Sequence, residues 1–212
     1  MNAPKPDPHS VPELPLFPLQ SVLFPGAQLH LRVFEPRYLD LVSRCLREQQ
    51  PFGAICLRQG SEVRGASDDP VLLEQTGVLA KLEEVDAEQA GLLRVRCLGT
   101  QRFEIDEPVQ QPDGLWTARA WLIDDDAVVA PPEAMVATVR ALANAIGALE
   151  RKGGSPFLKP YRFDDAGWVA NRWCELLPIS LAAKQKLMAL EDPQMRLRLV
   201  DEYLRGKGVI TA

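Results

Sequence analysis

The sequence predicts an α+β protein: a strand-rich N-terminal half forming a partly closed β-barrel, then a helical half. Three observations carry this reading. Up to about Ile123, apolar and polar residues alternate over short runs, the period of a half-buried strand. From Pro131 onward, apolar residues recur three or four positions apart, the period of an amphipathic helix. Between the halves lies Asp124-Asp125-Asp126, which fits neither pattern. The expected organisation is a disordered tail over residues 1–12, a β-rich unit over 13–126 and a helical unit over 131–206.

The elements follow in order. Leu14-Pro15-Leu16-Phe17 is short, apolar and interrupted by proline, which predicts an edge strand. Phe24-Pro25-Gly26 reads as a turn. Leu29, Leu31 and Val33 then alternate with His30 and Arg32 along a half-buried strand. Pro36 suits the first position of a helix, and Tyr38, Leu41, Val42, Cys45 and Leu46 form its apolar stripe. Pro51 ends that helix. Further strands are expected at Phe52–Leu57, at Gly77–Val85 with a bulge near Leu82, at 93–97, at Arg102–Ile105 and at Trp116–Ile123.

In the second half, Met135, Val139, Leu142, Ile146 and Leu149 mark one helix, closed by Gly153-Gly154. Trp168, Val169, Arg172, Trp173, Leu176 and Leu177 mark another, with Asp164 or Asp165 as its N-cap. Ser180 caps a third, and Asp192-Pro193 opens a fourth with Met195, Leu199 and Tyr203 on one face.

Composition excludes several classes. A chain of 212 residues, 46% hydrophobic and 25% charged, is long enough to bury a core without disulfides or metal. Its net charge of −5 opposes a dedicated nucleic-acid binder, because phosphate contacts need clustered Lys and Arg. Cys45, Cys56, Cys97 and Cys174 are far apart and form no CxxC, so they read as buried free thiols of a cytoplasmic protein. The N-terminal MNAPKPDPHSVPELP lacks the apolar core of a signal peptide. No apolar run reaches the roughly 18 residues of a membrane span.

Catalysis needs convergent groups, and the sequence offers few. His9 lies in the tail, and His30 stands alone on the polar face of a strand. No GxxxxGK[ST], GxGxxG or GxSxG occurs. Asp124-Asp125-Asp126 and Asp68-Asp69 lack calcium-loop spacing and read as solvated linkers. Ser180 and Lys184 share a helix face, but Ser180 reads first as an N-cap. No catalytic residue, cofactor site or metal site is expected, which points to a binding module.

The segments LPLFPL, VLFPG and LHLRVFEPRY, in that order, resemble the start of the Lon protease N-terminal, substrate-recognition domain. FGAICL, TGVLAKLEEV, LLRVRCLGTQRFEI and WLIDDD resemble its following strands, and KQKLMALEDPQMRLRLVDEYL its terminal helices. The resemblance runs from about Leu14 to Leu204. It implies a PUA-like β pseudo-barrel followed by a helical bundle. It also implies a stand-alone, non-catalytic form of the domain, since the segments of the ATPase and protease domains are not in this sequence. The implied partners are unfolded or apolar polypeptide segments, with an adaptor role towards a protease or chaperone.

The most distinctive box, Phe34-Glu35-Pro36-Arg37-Tyr38, supplies the candidate partner-binding residues Phe34, Glu35, Arg37 and Tyr38. The same box also fits a strand-to-helix junction. Two other readings stay open: a hydrolase using Ser180 and Lys184, and an RNA-binding surface built on Arg94, Arg96, Arg102 and Arg119.

Overall fold

A computed structural model of the chain describes residues 9–62, 70–154 and 157–210. Residues 1–8 of the expected tail and Asp68-Asp69 lie outside the described residues. The chain divides into two compact units between Asp125 and Asp126.

The first unit holds six strands and one helix: β1 (Ser10–Leu19), β2 (Gln28–Val33), α1 (Pro36–Glu48), β3 (Phe52–Gln59), β4 (Leu72–Gln89), β5 (Leu92–Gln110) and β6 (Trp116–Leu122). Hydrogen-bonded neighbours run β2-β5-β4-β3-β1-β6, and β6 pairs with β5 as well. Five strands therefore form a closed circuit of pairings, with β2 attached outside it. All neighbours are antiparallel except β1 and β3. The inward side chains of the circuit form one core of Leu14, Leu16, Ile55, Leu79, Phe103, Ala118 and Ala120.

β1 is not the edge strand that its prolines predict. It pairs with β3 over Leu16–Leu19 and with β6 over Ser10–Leu16. Pro12 falls where the register with β6 shifts between Val11 and Leu14, and Pro15 lies before the ladder with β3 begins. A proline lacks only one donor, so it is tolerated where the ladder does not use that donor. β1 also starts inside the expected tail, because Ser10 and Val11 pair with Trp121 and Ala120. The His9 carbonyl likewise accepts from the Leu122 N–H at 2.7 Å.

The two strands expected at 93–97 and 102–105 are one strand, β5. Over its first half it lies between β4 and β2, with Leu93–Leu98 paired to Val33–Gln28. From Phe103 to Gln110 it pairs with β6. The changeover occurs at Gly99, which exchanges two 2.8 Å hydrogen bonds with Gly26 and Ala27. Pro25 and Gly26 occupy the centre of that turn. The Ala27 N–H donates to the Phe24 carbonyl at 3.0 Å, and Gly26 has a φ of 76°, as a type II turn requires. A Cβ at Gly99 would lie 2.6 Å from the Phe24 carbonyl oxygen. The expected bulge near Leu82 is present as a register shift between Leu82 and Glu84.

The second unit is helical: a 3-10 turn (Glu133–Met135), then α2 (Val136–Arg151), α3 (Ala166–Leu176), α4 (Leu181–Ala189) and α5 (Pro193–Gly206). The Asp165, Ser180 and Asp192 side chains accept from backbone N–H groups at the starts of α3, α4 and α5. α3 is the central helix and packs on α2, α4 and α5. The Trp173 indole donates to the Thr138 carbonyl at 3.1 Å.

The face of α5 differs from expectation. Met195 and Leu199 are exposed, whereas Arg196, Leu197, Val200, Asp201 and Leu204 are buried. Two of these are charged, and both are satisfied. Asp201 receives hydrogen bonds from Thr138 and, at 2.7 Å, from Arg205 Nε. Arg196 donates to Asp126 Oδ2 at 2.6 Å, Asn171 Oδ1 at 3.0 Å, the Leu187 carbonyl at 2.9 Å and the Leu190 carbonyl.

Two stability predictions follow from these contacts. Gly99→Ala forces the Phe24–Ala27 turn away from β5 and should cost on the order of 1–3 kcal/mol, read as a lower denaturant midpoint. An unchanged midpoint would show that this close approach imposes no constraint. Arg196→Met leaves Asp126 and two carbonyls without their donor and should cost roughly 3–5 kcal/mol in thermal or chemical unfolding. A loss under about 1 kcal/mol would exclude the guanidinium as a structural centre of the helical unit.

Candidate functional site

The Phe34–Tyr38 box forms the passage from β2 into α1. Glu35 precedes a proline and has the extended backbone that this neighbour favours, φ −74° and ψ 134°. Pro36 then opens the helix, and the Glu35 carbonyl accepts from Tyr38 and Leu39 N–H at 2.9 and 3.0 Å. The Glu35 carboxylate does not cap the helix. It pairs with Arg37 Nη2 at 2.9 Å.

Arg37 is buried, at 8% exposure. Its Nη1 donates to the Gly114 carbonyl at 2.7 Å, and its guanidinium lies 4.5 Å from the Tyr38 ring centroid. The pair with Glu35, the carbonyl and the ring together compensate for its burial. Tyr38 is 3% exposed and stacks on Phe17 at 4.0 Å between centroids. Burial pushes the Tyr38 phenol up to about 12, against the lowering effect of Arg37 and with help from Glu35 and Glu62. It stays neutral and acts as packing. Phe34 is the most exposed of the four candidates, at 54%, and Glu35 is half-buried.

Phe34 borders a concavity of about 200 Å³. One wall is the six consecutive residues His30–Glu35; the other is Phe17, Leu19, Tyr38 and Glu62. Successive residues of a strand point to opposite faces of a sheet. A concavity touched by every residue in turn must therefore run along the edge of β2 rather than over one face. β2 pairs only with β5 among the described strands, so its other edge is open. The site thus presents an apolar ring, a shallow hollow lined by both apolar and charged side chains, and a row of strand backbone.

A second and larger concavity, about 420 Å³, lies between the first half of β1 and the end of α1. Val11, Leu14, Pro15, Pro51, Leu79 and Leu122 line it with Glu13, Arg44 and Glu48. Cys45 also lines it, but burial raises its thiol, so it is no ready nucleophile. Burial raises the other three thiols too: Cys56 to about 11, and Cys97 and Cys174 to about 12.

The remaining sequence candidates do not converge. Ser180 Oγ accepts from the Ala183 N–H at 3.2 Å, and Lys184 Nζ donates to the Glu175 carbonyl at 3.1 Å. Arg94 and Arg96 pair with Glu88 and with Glu83 and Glu84, while Arg102 is buried. Asp126 is the partner of Arg196. Among the described residues, no three His, Cys, Asp or Glu gather as metal ligands, and no helix is long and apolar enough to cross a membrane. The open edge of β2 was missed by the sequence reading. Its local signal is an apolar strand carrying neither proline nor lysine.

Comparison with known proteins places this geometry in a family. The model of the ATP-dependent protease La (LON) substrate-binding domain matches residues 13–206. A Lon protease of Parabacteroides distasonis is 25% identical over 190 residues, which cover 86% of this chain and 22% of that protein. One from Brevibacillus choshinensis is 24% identical over 197 residues, 92% of this chain and 25% of that protein. The chain thus spans about a quarter of these relatives' length. Among solved structures, a Lon N-terminal domain protein from Xanthomonas campestris superposes with a TM-score of 0.69 at 30% identity, covering 90% of this chain and 97% of that one. The N-terminal domain of a Mycobacterium avium complex Lon protease shares the fold, with a TM-score of 0.59 at 15% identity. The chain belongs to the family of the Lon protease substrate-binding domain.

Proposed function

We propose that the protein recognises polypeptide segments with exposed apolar side chains, as a non-catalytic module, through the surface beside Phe34. The observation that carries the reading is Phe34 itself. A large aromatic ring, 54% exposed, borders a hollow of mixed apolar and charged lining at an open strand edge. Aromatic rings at such borders commonly supply most of the binding energy of an interface. The family's description as a substrate-binding domain supports the same assignment.

In this reading the closed circuit of strands is a PUA-like pseudo-barrel within residues 13–126, and the helices over 131–206 form a bundle. Glu35, Arg37 and Tyr38 hold the junction rigid, and Phe34 makes the contact. The module acts in the cytoplasm and presents its ligand to a separate protease or chaperone. Nucleic acid is disfavoured because Arg94 and Arg96 are already matched by carboxylates.

The test is a titration of the full chain against a permanently unfolded model protein, followed by fluorescence anisotropy. Wild type should bind at micromolar concentration. Phe34→Ser, with circular dichroism and melting temperature unchanged, should bind about tenfold more weakly, equivalent to ~1.4 kcal/mol. Equal affinity of the two proteins, or no binding by either, would overturn the proposal.

A further inference from the structure

We infer that the polypeptide docks by adding a strand to the open edge of β2, with one large apolar side chain in the hollow and, two positions along on the same face, a Lys or Arg beside Glu62. This rests on the polypeptide-recognition reading and specifies its ligand.

Three features of β2 argue for strand addition. First, the hollow is lined by six consecutive residues, so a ligand in it lies alongside backbone. Alternate residues of β2 turn their N–H and C=O groups to that side, where no described strand takes them up. Second, β2 is a regular edge whose one charged residue, Arg32, is drawn to Glu88. QLHLRV contains no proline and no lysine, and its register with β5 runs unbroken from Gln28↔Leu98 to Val33↔Leu93. Elsewhere the chain uses such irregularities freely, with register shifts in the β1–β6, β3–β4, β4–β5 and β5–β6 ladders. Third, Phe17 and Leu19 are two apart on β1 and so present one apolar face across the hollow from β2. An added strand would therefore pair its backbone with β2 and seat a side chain against Phe17, Phe34 and Tyr38.

The charges select the residue two positions along. Glu35 is matched by Arg37, and Arg32 by Glu88 at 3.1 Å. Glu62 accepts a hydrogen bond from the Gln20 N–H, but no described cation is paired with it. Among the described residues, Glu62 is thus the carboxylate of the hollow with no cation paired beside it. A Lys or Arg two positions from the apolar anchor complements it, and an acidic residue there is repelled.

The probe is the fluorescein-labelled, amidated peptide STVFTKVS, whose Phe and Lys are two apart and so share a face, titrated into the full chain. A set of variants is methylated at one backbone nitrogen each. Methylation should weaken binding at least tenfold at every second position and less than twofold between them, the period of a paired strand. Replacing the peptide lysine by glutamate should weaken binding several-fold, and Glu62→Lys should restore it. Uniform tolerance of N-methylation, with Phe34→Ser still weakening the unmodified peptide, would overturn strand addition and leave polypeptide recognition standing. Failure of both the peptide and the unfolded protein to bind would overturn both. A dimer in light scattering that blocks the peptide would assign the β2 edge to a second copy of the chain, and would also overturn the inference.

Discussion

β5 has two edges and three partners, and this constraint organises the strand-rich unit. One edge is committed to β4. The other is divided by length: β2 takes Leu93–Leu98, and β6 takes Phe103–Gln110. Gly99 makes the division possible, because the turn at Gly26 and Ala27 docks on it where one partner gives way to the next. Since β6 also reaches β1, the division closes the circuit and leaves β2 with a single neighbour. The open edge is therefore a by-product of how β5 is shared, and the candidate site inherits its position from Gly99 and the core around Phe103.

The junction after β2 turns that edge into a defined surface. Arg37 ties the first turn of α1 to Gly114, in the turn between β5 and β6, and Glu35 balances its charge. Tyr38 lies on Phe17, which belongs to β1. The first turn of the helix is thus fixed to both ends of the strand circuit. These contacts fix the backbone on the helix side of Phe34, which stands at the border of the hollow.

Local chemistry was the legible part of the sequence. The Pro25-Gly26 turn, Pro36 at a helix start, and Asp165, Ser180 and Asp192 as caps each depend on neighbours within three or four positions. The boundary near Asp124–Asp126 follows from a change in apolar period. Pairing order was not legible. Nothing local says that β1 has two neighbours or that β5 serves both β2 and β6, so neither the interior place of β1 nor the open edge of β2 could be read in advance. Periodicity also does not show where buried charge goes: Arg37 and Arg196 meet acceptors 77 and 70 positions away. The box stands out because its composition is unusual, but only the structure shows that Phe34 is its exposed aromatic while Arg37 and Tyr38 are buried.

The Arg196–Asp126 contact also has a bearing on how the chain is made. Asp126 opens the helical unit, and its guanidinium partner lies on the last helix. During synthesis the strand circuit already has all its pairing partners by Leu122, whereas the Arg196 guanidinium that Asp126 accepts from arrives only with the last helix. Closing so long a loop adds little entropic cost beyond that of a shorter one, but it sets an order of events. The strand-rich unit can mature on the ribosome while the helices are still emerging, and the helical unit locks only when α5 leaves the exit tunnel.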